Sequence, residues 1–246
     1  MPICLLASLL AIASFRTVGF RIPWDVVVAV CCIAIAAMLQ NDWRDRYHDI
    51  RKHKVVASEH PRAFCGLVLA FWAGCIVLIT LVTTGNTKAG FVLAVLALAG
   101  ALYSETRKIL FIPITLVSAV SATPALLPMA YGATRGKPLL LFLSAALIIF
   151  GRELTKDLED MYIDKGYKLT IPLVAGERES RVLAAVAIVT GLIAGATVSL
   201  SVVLPATIVL VALIRLLSGE DPRRSRKLLD GGVAFIILIL IITGGG

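Results

Sequence analysis

Two runs of acids stand out in a strongly apolar chain. The first is Asn41-Asp42-Trp43-Arg44-Asp45-Arg46-Tyr47-His48-Asp49, an NDxxDxxxD pattern. The second is Asp157-Leu158-Glu159-Asp160-Met161-Tyr162-Ile163-Asp164, a DxxDxxxD pattern. If the helices continue through them, residues 41, 45 and 49 share one face, and so do residues 157, 160 and 164. Like charges at that spacing destabilise a helix. A cation between them removes the repulsion. Hard oxygen donors with no thiolate and no histidine cage suit Mg²⁺. That ion takes one or two carboxylates and fills its shell with water and phosphate oxygens. Two acidic faces looking at each other would clamp a diphosphate through Mg²⁺. His48, His53 and His60 have no metal-ligand spacing and are not expected to bind metal.

Basic residues accompany the acids. Lys54 follows the first motif, and Arg152, Lys156, Lys165 and Lys168 flank the second. They could bind diphosphate oxygens and stabilise a leaving pyrophosphate. An equal share of them would only set membrane topology. Tyr103 and Arg107, four residues apart with Lys108 adjacent, face the same surface. For Tyr103 an aromatic belt is an equally good reading.

The elements that hold these groups are membrane spans. The chain has 246 residues, 59% of them hydrophobic, and a mean hydropathy of +0.91. Soluble domains are roughly 45–50% apolar, so disorder and a separate soluble domain are excluded. Seven to nine spans fit, at about 20 residues each. Apolar segments fall near 2–15, 23–40, 64–84, 89–103, 109–131, 138–151, 182–198, 201–217 and 231–243. The uncharged stretch 182–214 would make one helix of about 50 Å, against a hydrocarbon core of about 30 Å. It is therefore expected to break near Ser199–Ser201. The first segment has no basic n-region and reads as a span, not a signal peptide. The expectation is a single all-α membrane domain over 1–246, with acidic motif loops at 41–63 and 152–181.

Charge gives the orientation. Nineteen of the 24 basic residues fall in the loops of one side, which the positive-inside rule puts in the cytoplasm. Fifteen of the 16 acids lie there too; only Asp25 lies on the other side. The net charge of +8 is shared equally between the faces, so it says little about partners. The gross charge is one-sided, as a site handling Mg²⁺ and a diphosphate requires. The five cysteines sit in or beside apolar runs and read as small packers.

With both motifs in hand, the chain resembles the UbiA superfamily of intramembrane prenyltransferases. Arg152-Glu153-Leu154-Thr155-Lys156-Asp157-Leu158-Glu159-Asp160, with Asp164, Gly166, Lys168-Leu169-Thr170, Pro172 and Gly176, carries most of the likeness. It is similar to the second motif of digeranylgeranylglyceryl phosphate synthases. The resemblance implies about nine transmembrane helices around a central cavity with a cytoplasmic cap. It implies that Asn41, Asp42, Asp45, Asp49, Asp157, Asp160 and Asp164 hold Mg²⁺ and a prenyl diphosphate. Catalysis would then fall to Asp45, Asp49, Asp160, Asp164 and Lys156. Lys54, Tyr103, Arg107, Lys108, Arg152 and Lys168 would bind diphosphate or acceptor phosphate. Tyr103 and Arg107 stand where the family often has YxxxK. Phe71, Trp72 and Phe111 are candidates to line the cavity.

The implied reaction moves a prenyl group, geranylgeranyl by this likeness, from its diphosphate to a lipid glycerol-phosphate acceptor. The expected setting is the plasma membrane with the site facing the cytoplasm, among membrane lipids and with no nucleic acid partner. An aromatic acceptor of quinone or chlorophyll type is the nearest rival. Terpene cyclisation on the same scaffold is another. A transporter would carry ionisable residues inside its spans, and the apolar segments hold essentially none.

Overall fold

The computed structural model describes residues 3–52, 55–106 and 109–244. Among these residues every regular element is a helix. In order they are α1 (Ile3–Thr17), α2 (Trp24–Asp45), α3 (Val56–Glu59), α4 (Pro61–Gly85), α5 (Thr87–Tyr103) and α6 (Ile112–Ala122). There follow α7 (Leu127–Ala130), α8 (Gly136–Asp164), α9 (Ile171–Ala175), α10 (Glu177–Val198), α11 (Val203–Leu217) and α12 (Pro222–Thr243). Tight 3-10 turns occupy Asp49–Lys52, Thr123–Leu126 and Leu200–Val202.

Among the described residues six helical stretches are long and apolar enough to cross a bilayer: Trp24–Asp45, Pro61–Gly85, Ile112–Ala130, Gly136–Asp164, Glu177–Val198 and Leu200–Leu217. Leu5–Thr17 and Thr87–Tyr103 are shorter apolar helices. The α12 helix has 22 residues but opens on Arg223, Arg224, Arg226 and Lys227, so its apolar part is its second half. On α4 only Val68, Cys75 and Val82 are buried, seven residues apart. Leu69, Ile76 and Leu81 point outward. A helix that is apolar all round with one narrow buried seam suits lipid on its other sides.

Local signals place the helix ends. Asn86 accepts from the Ala89 amide at 3.1 Å and caps α5. Asp221 accepts from the Arg223 amide at 2.9 Å and caps α12. Pro61 and Pro222 stand in the first turns of their helices, where no amide is needed. The expected break in the long apolar run is found. Ser199 is extended (φ −156°, ψ 127°) and its hydroxyl takes the Ser201 amide.

The helices close into a ring, α12 returning to pack on α1. Arg16 on α1 donates to the Ile241 carbonyl of α12 at 3.2 Å. One core joins α1, α8, α10, α11 and α12 around Ile188, Val209 and Leu229. A second joins α1, α2, α4 and α5 around Phe15, Val26 and Leu93. A cavity of about 360 Å³ lies between them.

Helices α8 and α10 approach most closely. Ser144 donates to the Gly191 carbonyl at 2.7 Å. A Cβ on Gly191 would lie 2.8 Å from the Ser144 carbonyl oxygen. One on Gly151 would lie 2.7 Å from that of Ala184. Small residues four apart on α10, Gly191 and Gly195, let the backbones touch, as in many membrane helix pairs. Gly191→Ala is therefore expected to cost about 1–3 kcal/mol by overpacking. Gly66→Ala, where nothing lies within 4 Å, serves as the control. Thermal unfolding in detergent checks the pair; an unchanged midpoint for Gly191→Ala would contradict the close packing.

Two expectations need correction. Helix α2 ends at Asp45, and Asp49 opens a separate 3-10 turn, so residues 41, 45 and 49 do not share one helical face. The stretch 152–164 is not loop but the last turns of α8. Its buried positions Gly151, Leu154, Thr155 and Leu158 continue the three–four spacing of Leu141, Ser144 and Ile148. That periodicity, with good helix formers between, carries the helix on.

Candidate active site

The site forms where the ends of α2, α5 and α8 meet. Gln40 fixes the end of α2. Its amide nitrogen donates to the Ala101 carbonyl at 2.8 Å and to Ser104 at 3.1 Å. Its oxygen accepts from the Trp72 indole at 2.8 Å. Thus Trp72, expected to line the cavity, instead ties α4 to α2, and Phe71 packs into the core beside it. Phe111 does line the site, with its backbone at a positive φ of 67°.

The second motif lies as expected. Asp157, Asp160 and Asp164 line a polar mouth with Asn41, Tyr103, Lys156 and Lys168. Gly166 (φ 82°) follows the helix and turns the chain back. This brings Tyr167 and Lys168 over the end of α2. The Tyr167 hydroxyl donates to Asp45 Oδ1 at 2.9 Å. His48 Nε2 pairs with Asp164 Oδ1 at 2.8 Å. The two rings stack with centroids 3.8 Å apart. Each motif thus supplies an aromatic ring that holds the other motif's acid. Lys168 Nζ stands 3.7 Å from Asp45 Oδ2 and 3.8 Å from Asp164 Oδ2.

Below the mouth the polar groups give way to the apolar cavity. Asn41, Asp42, Tyr103, Arg152, Glu153 and Lys156 ring its upper end. Val30, Ile33, Leu96, Val117 and Val120 line its depth. Asn41, Tyr103, Val117, Glu153 and Lys156 belong to both mouth and cavity, so the two are continuous. An amphiphile with an anionic head and an apolar tail fits that shape.

Of the other expected residues, Asp49 is buried in its 3-10 turn and lines neither the mouth nor the cavity. Arg152 is committed elsewhere. Its Nε and Nη2 donate to Asp230 at 2.9 and 3.3 Å, and its Nη1 to Glu153. Arg226 adds a bond to Glu159 at 2.7 Å. This network fastens α12 to α8. Lys54, Arg107 and Lys108 lie outside the described residues.

Several participants escaped the sequence reading. His48 has no metal-ligand spacing, yet it bonds an acid of the opposite motif. Tyr167, Glu153, Asp230 and Arg226 carried no spacing signal that links them. Glu153 lies just past the apolar segment 138–151, yet it is buried on α8, which runs on through it. One signal was readable: an acid and a base, Arg152-Glu153, at the end of an apolar run.

The donors suit a hard divalent cation. Carboxylates of both motifs converge on one positive charge, the Lys168 ammonium, so the frame accommodates a cation between them. Among the described residues no three histidine, cysteine or acid side chains form a ready cage. The remaining ligands would be water and substrate oxygens, as Mg²⁺ prefers. The Thr170 hydroxyl, also at the mouth, is buried without a hydrogen-bond partner among the described residues.

Fold and site together define a protein of apolar helices with an acid-lined mouth above an apolar cavity. The family model of the UbiA prenyltransferase family matches residues 1–239, and the chain belongs to that family of integral membrane transferases. The fold is similar to the apo structure of a UbiA homolog from Aeropyrum pernix K1. That match has a TM-score of 0.79 and 19% identity, and covers 97% of this chain and 96% of the other. It is also similar to the structure of a digeranylgeranylglyceryl phosphate synthase. There the TM-score is 0.72 at 20% identity, over 98% and 94% of the two chains. Among curated proteins none matches.

Proposed function

We propose that the protein transfers a geranylgeranyl group from its diphosphate to the free hydroxyl of a glycerol-phosphate lipid, with Mg²⁺. The product is an ether lipid, and diphosphate leaves. The observation that carries this reading is the continuity of the acid-lined mouth with the apolar cavity through Asn41, Tyr103, Glu153 and Lys156. The synthase likeness supports the choice of acceptor.

Asn41, Asp42, Asp45, Asp49, Asp157, Asp160 and Asp164 would hold Mg²⁺. The bound ion supplies positive charge to the departing diphosphate. Lys156 and Lys168 neutralise the same charge from the protein side, and Thr170 offers a hydroxyl to a diphosphate oxygen. Lys54, Arg107 and Lys108 are proposed for the same anions. The Val30, Ile33, Leu96 and Val117 wall sheathes the tail and keeps water from the reacting carbon. We place the protein in the plasma membrane with the mouth in the cytoplasm, the side that the basic loops favour.

The test is an assay of the purified chain with labelled geranylgeranyl diphosphate and two acceptors, a prenylglycerol phosphate and an aromatic acid. Ether formation that stops on chelation and returns with Mg²⁺ is expected. Transfer to the aromatic acceptor alone would overturn the acceptor, and undiminished transfer in chelator would overturn the metal.

A further inference from the structure

Glu153 is a buried acid outside the NDxxDxxxD and DxxDxxxD patterns. It stands one turn before Asp157 on α8 and lines both the polar mouth and the apolar cavity. Its side chain is only 8% exposed. Oε1 accepts from Arg152 Nη1, and Lys156 Nζ stands 3.7 Å from Oε2. A buried ionisable group is costly, and it marks either a fastening or a chemical role. A carboxylate here is poorly suited to bind a diphosphate, since the two anions repel. It is well suited to a carbon that becomes cationic, and to a hydroxyl that becomes acidic as it attacks that carbon.

We propose that Glu153 is the proton acceptor for the acceptor's hydroxyl. The proposal rests on the reading that the acceptor is an alcohol. The C1–O bond of the prenyl diphosphate breaks, and its electron pair leaves with the diphosphate. A lone pair of the hydroxyl oxygen forms the new C1–O bond. The O–H proton passes to the Glu153 carboxylate, which later yields it to the departing diphosphate, so charge and atoms balance. An oxygen bonded to hydrogen and two carbons is a very strong acid. Even a carboxylate flanked by Arg152 and Lys156 is base enough to take its proton. The Arg152 bond holds Oε1, and Oε2, whose contact with the Lys156 ammonium is the longer one at 3.7 Å, is the oxygen that meets the hydroxyl.

The experiment measures ether product and free diphosphate together, on the purified full chain. Wild type should form both in equal amounts. If wild type makes no ether from the glycerol-phosphate acceptor, the alcohol reading fails and this proposal falls with it. Glu153→Gln should lower ether formation roughly 10²-fold, a usual size for a lost general base. Diphosphate release should fall less, the excess appearing as prenyl alcohol. Glu153→Asp should recover part of the ether yield, and it carries the same ratio test if Glu153→Gln does not fold. Ether formation at the wild-type rate in Glu153→Gln would overturn the proposal. So would equal losses of ether and diphosphate, because a residue that only fastens Arg152 and Lys156 would slow both alike.

Discussion

Asp45→Ala is expected to lower prenyl transfer by about 10³-fold or more, the upper range for removing one electrostatic contact to a reacting anion. The size follows from position. Asp45 is 2% exposed, accepts from Tyr167, and lies 3.7 Å from the Lys168 ammonium. Its loss would remove one wall of the cation site and leave Lys168 with fewer acids to face. Asp45→Asn separates two causes. It keeps an oxygen for the Tyr167 hydroxyl but lacks the negative charge. A loss as deep as that of the alanine variant would assign the effect to cation binding, not to the hydrogen bond. Asp160→Ala, on the opposite motif, should behave alike. Initial rates across a Mg²⁺ titration, beside a melting curve to exclude unfolding, provide the measurement. Full activity in Asp45→Ala or Asp160→Ala would sink the assignment.

The second acidic motif was legible in the sequence because its chemistry follows one element. Residues 157, 160 and 164 lie on a single continuous helix, so spacing alone predicts their shared face. The break at Ser199 was legible too, because a bilayer limits how long an apolar helix can run. The first motif was legible only in part. Nothing between Asp42 and Asp49 breaks a helix, yet α2 stops at Asp45. The chain bends where His48 turns in to meet Asp164, a residue 116 positions away. Local propensity is a weak prior, and a buried charged hydrogen bond outweighs it. No spacing rule within residues 41–49 contains that partner. The same holds for Arg152, whose neighbours in sequence suggest an anion site. Its partner Asp230 comes from α12, and only tertiary packing brings the two together.

That pairing sets up the second large effect. Arg152 and Asp230 meet at 2.9 Å, and Arg44 and Glu105 meet at 2.8 Å. Distance alone would rank them equal. Their surroundings differ: the side chains are 14% and 13% exposed in the first pair, and 47% and 52% in the second. Asp230→Ala strips a partly buried guanidinium of two hydrogen bonds inside the bundle. Breaking a buried pair from one side costs about 3–5 kcal/mol when the remaining charge is left alone; Arg152 keeps its bond to Glu153, which puts the expected loss at the low end of that range. Glu105→Ala removes an exposed, screened pair worth roughly 0–1 kcal/mol. Thermal unfolding in one detergent should therefore show a large drop for Asp230→Ala and almost none for Glu105→Ala. Asp230→Asn should fall between them, since it retains an acceptor for Arg152 without the charge. If Asp230→Ala melts with wild type, the α8–α12 fastening is not what holds that side of the ring closed. Arg152 would then be available to substrate anions, the role its sequence neighbourhood suggests.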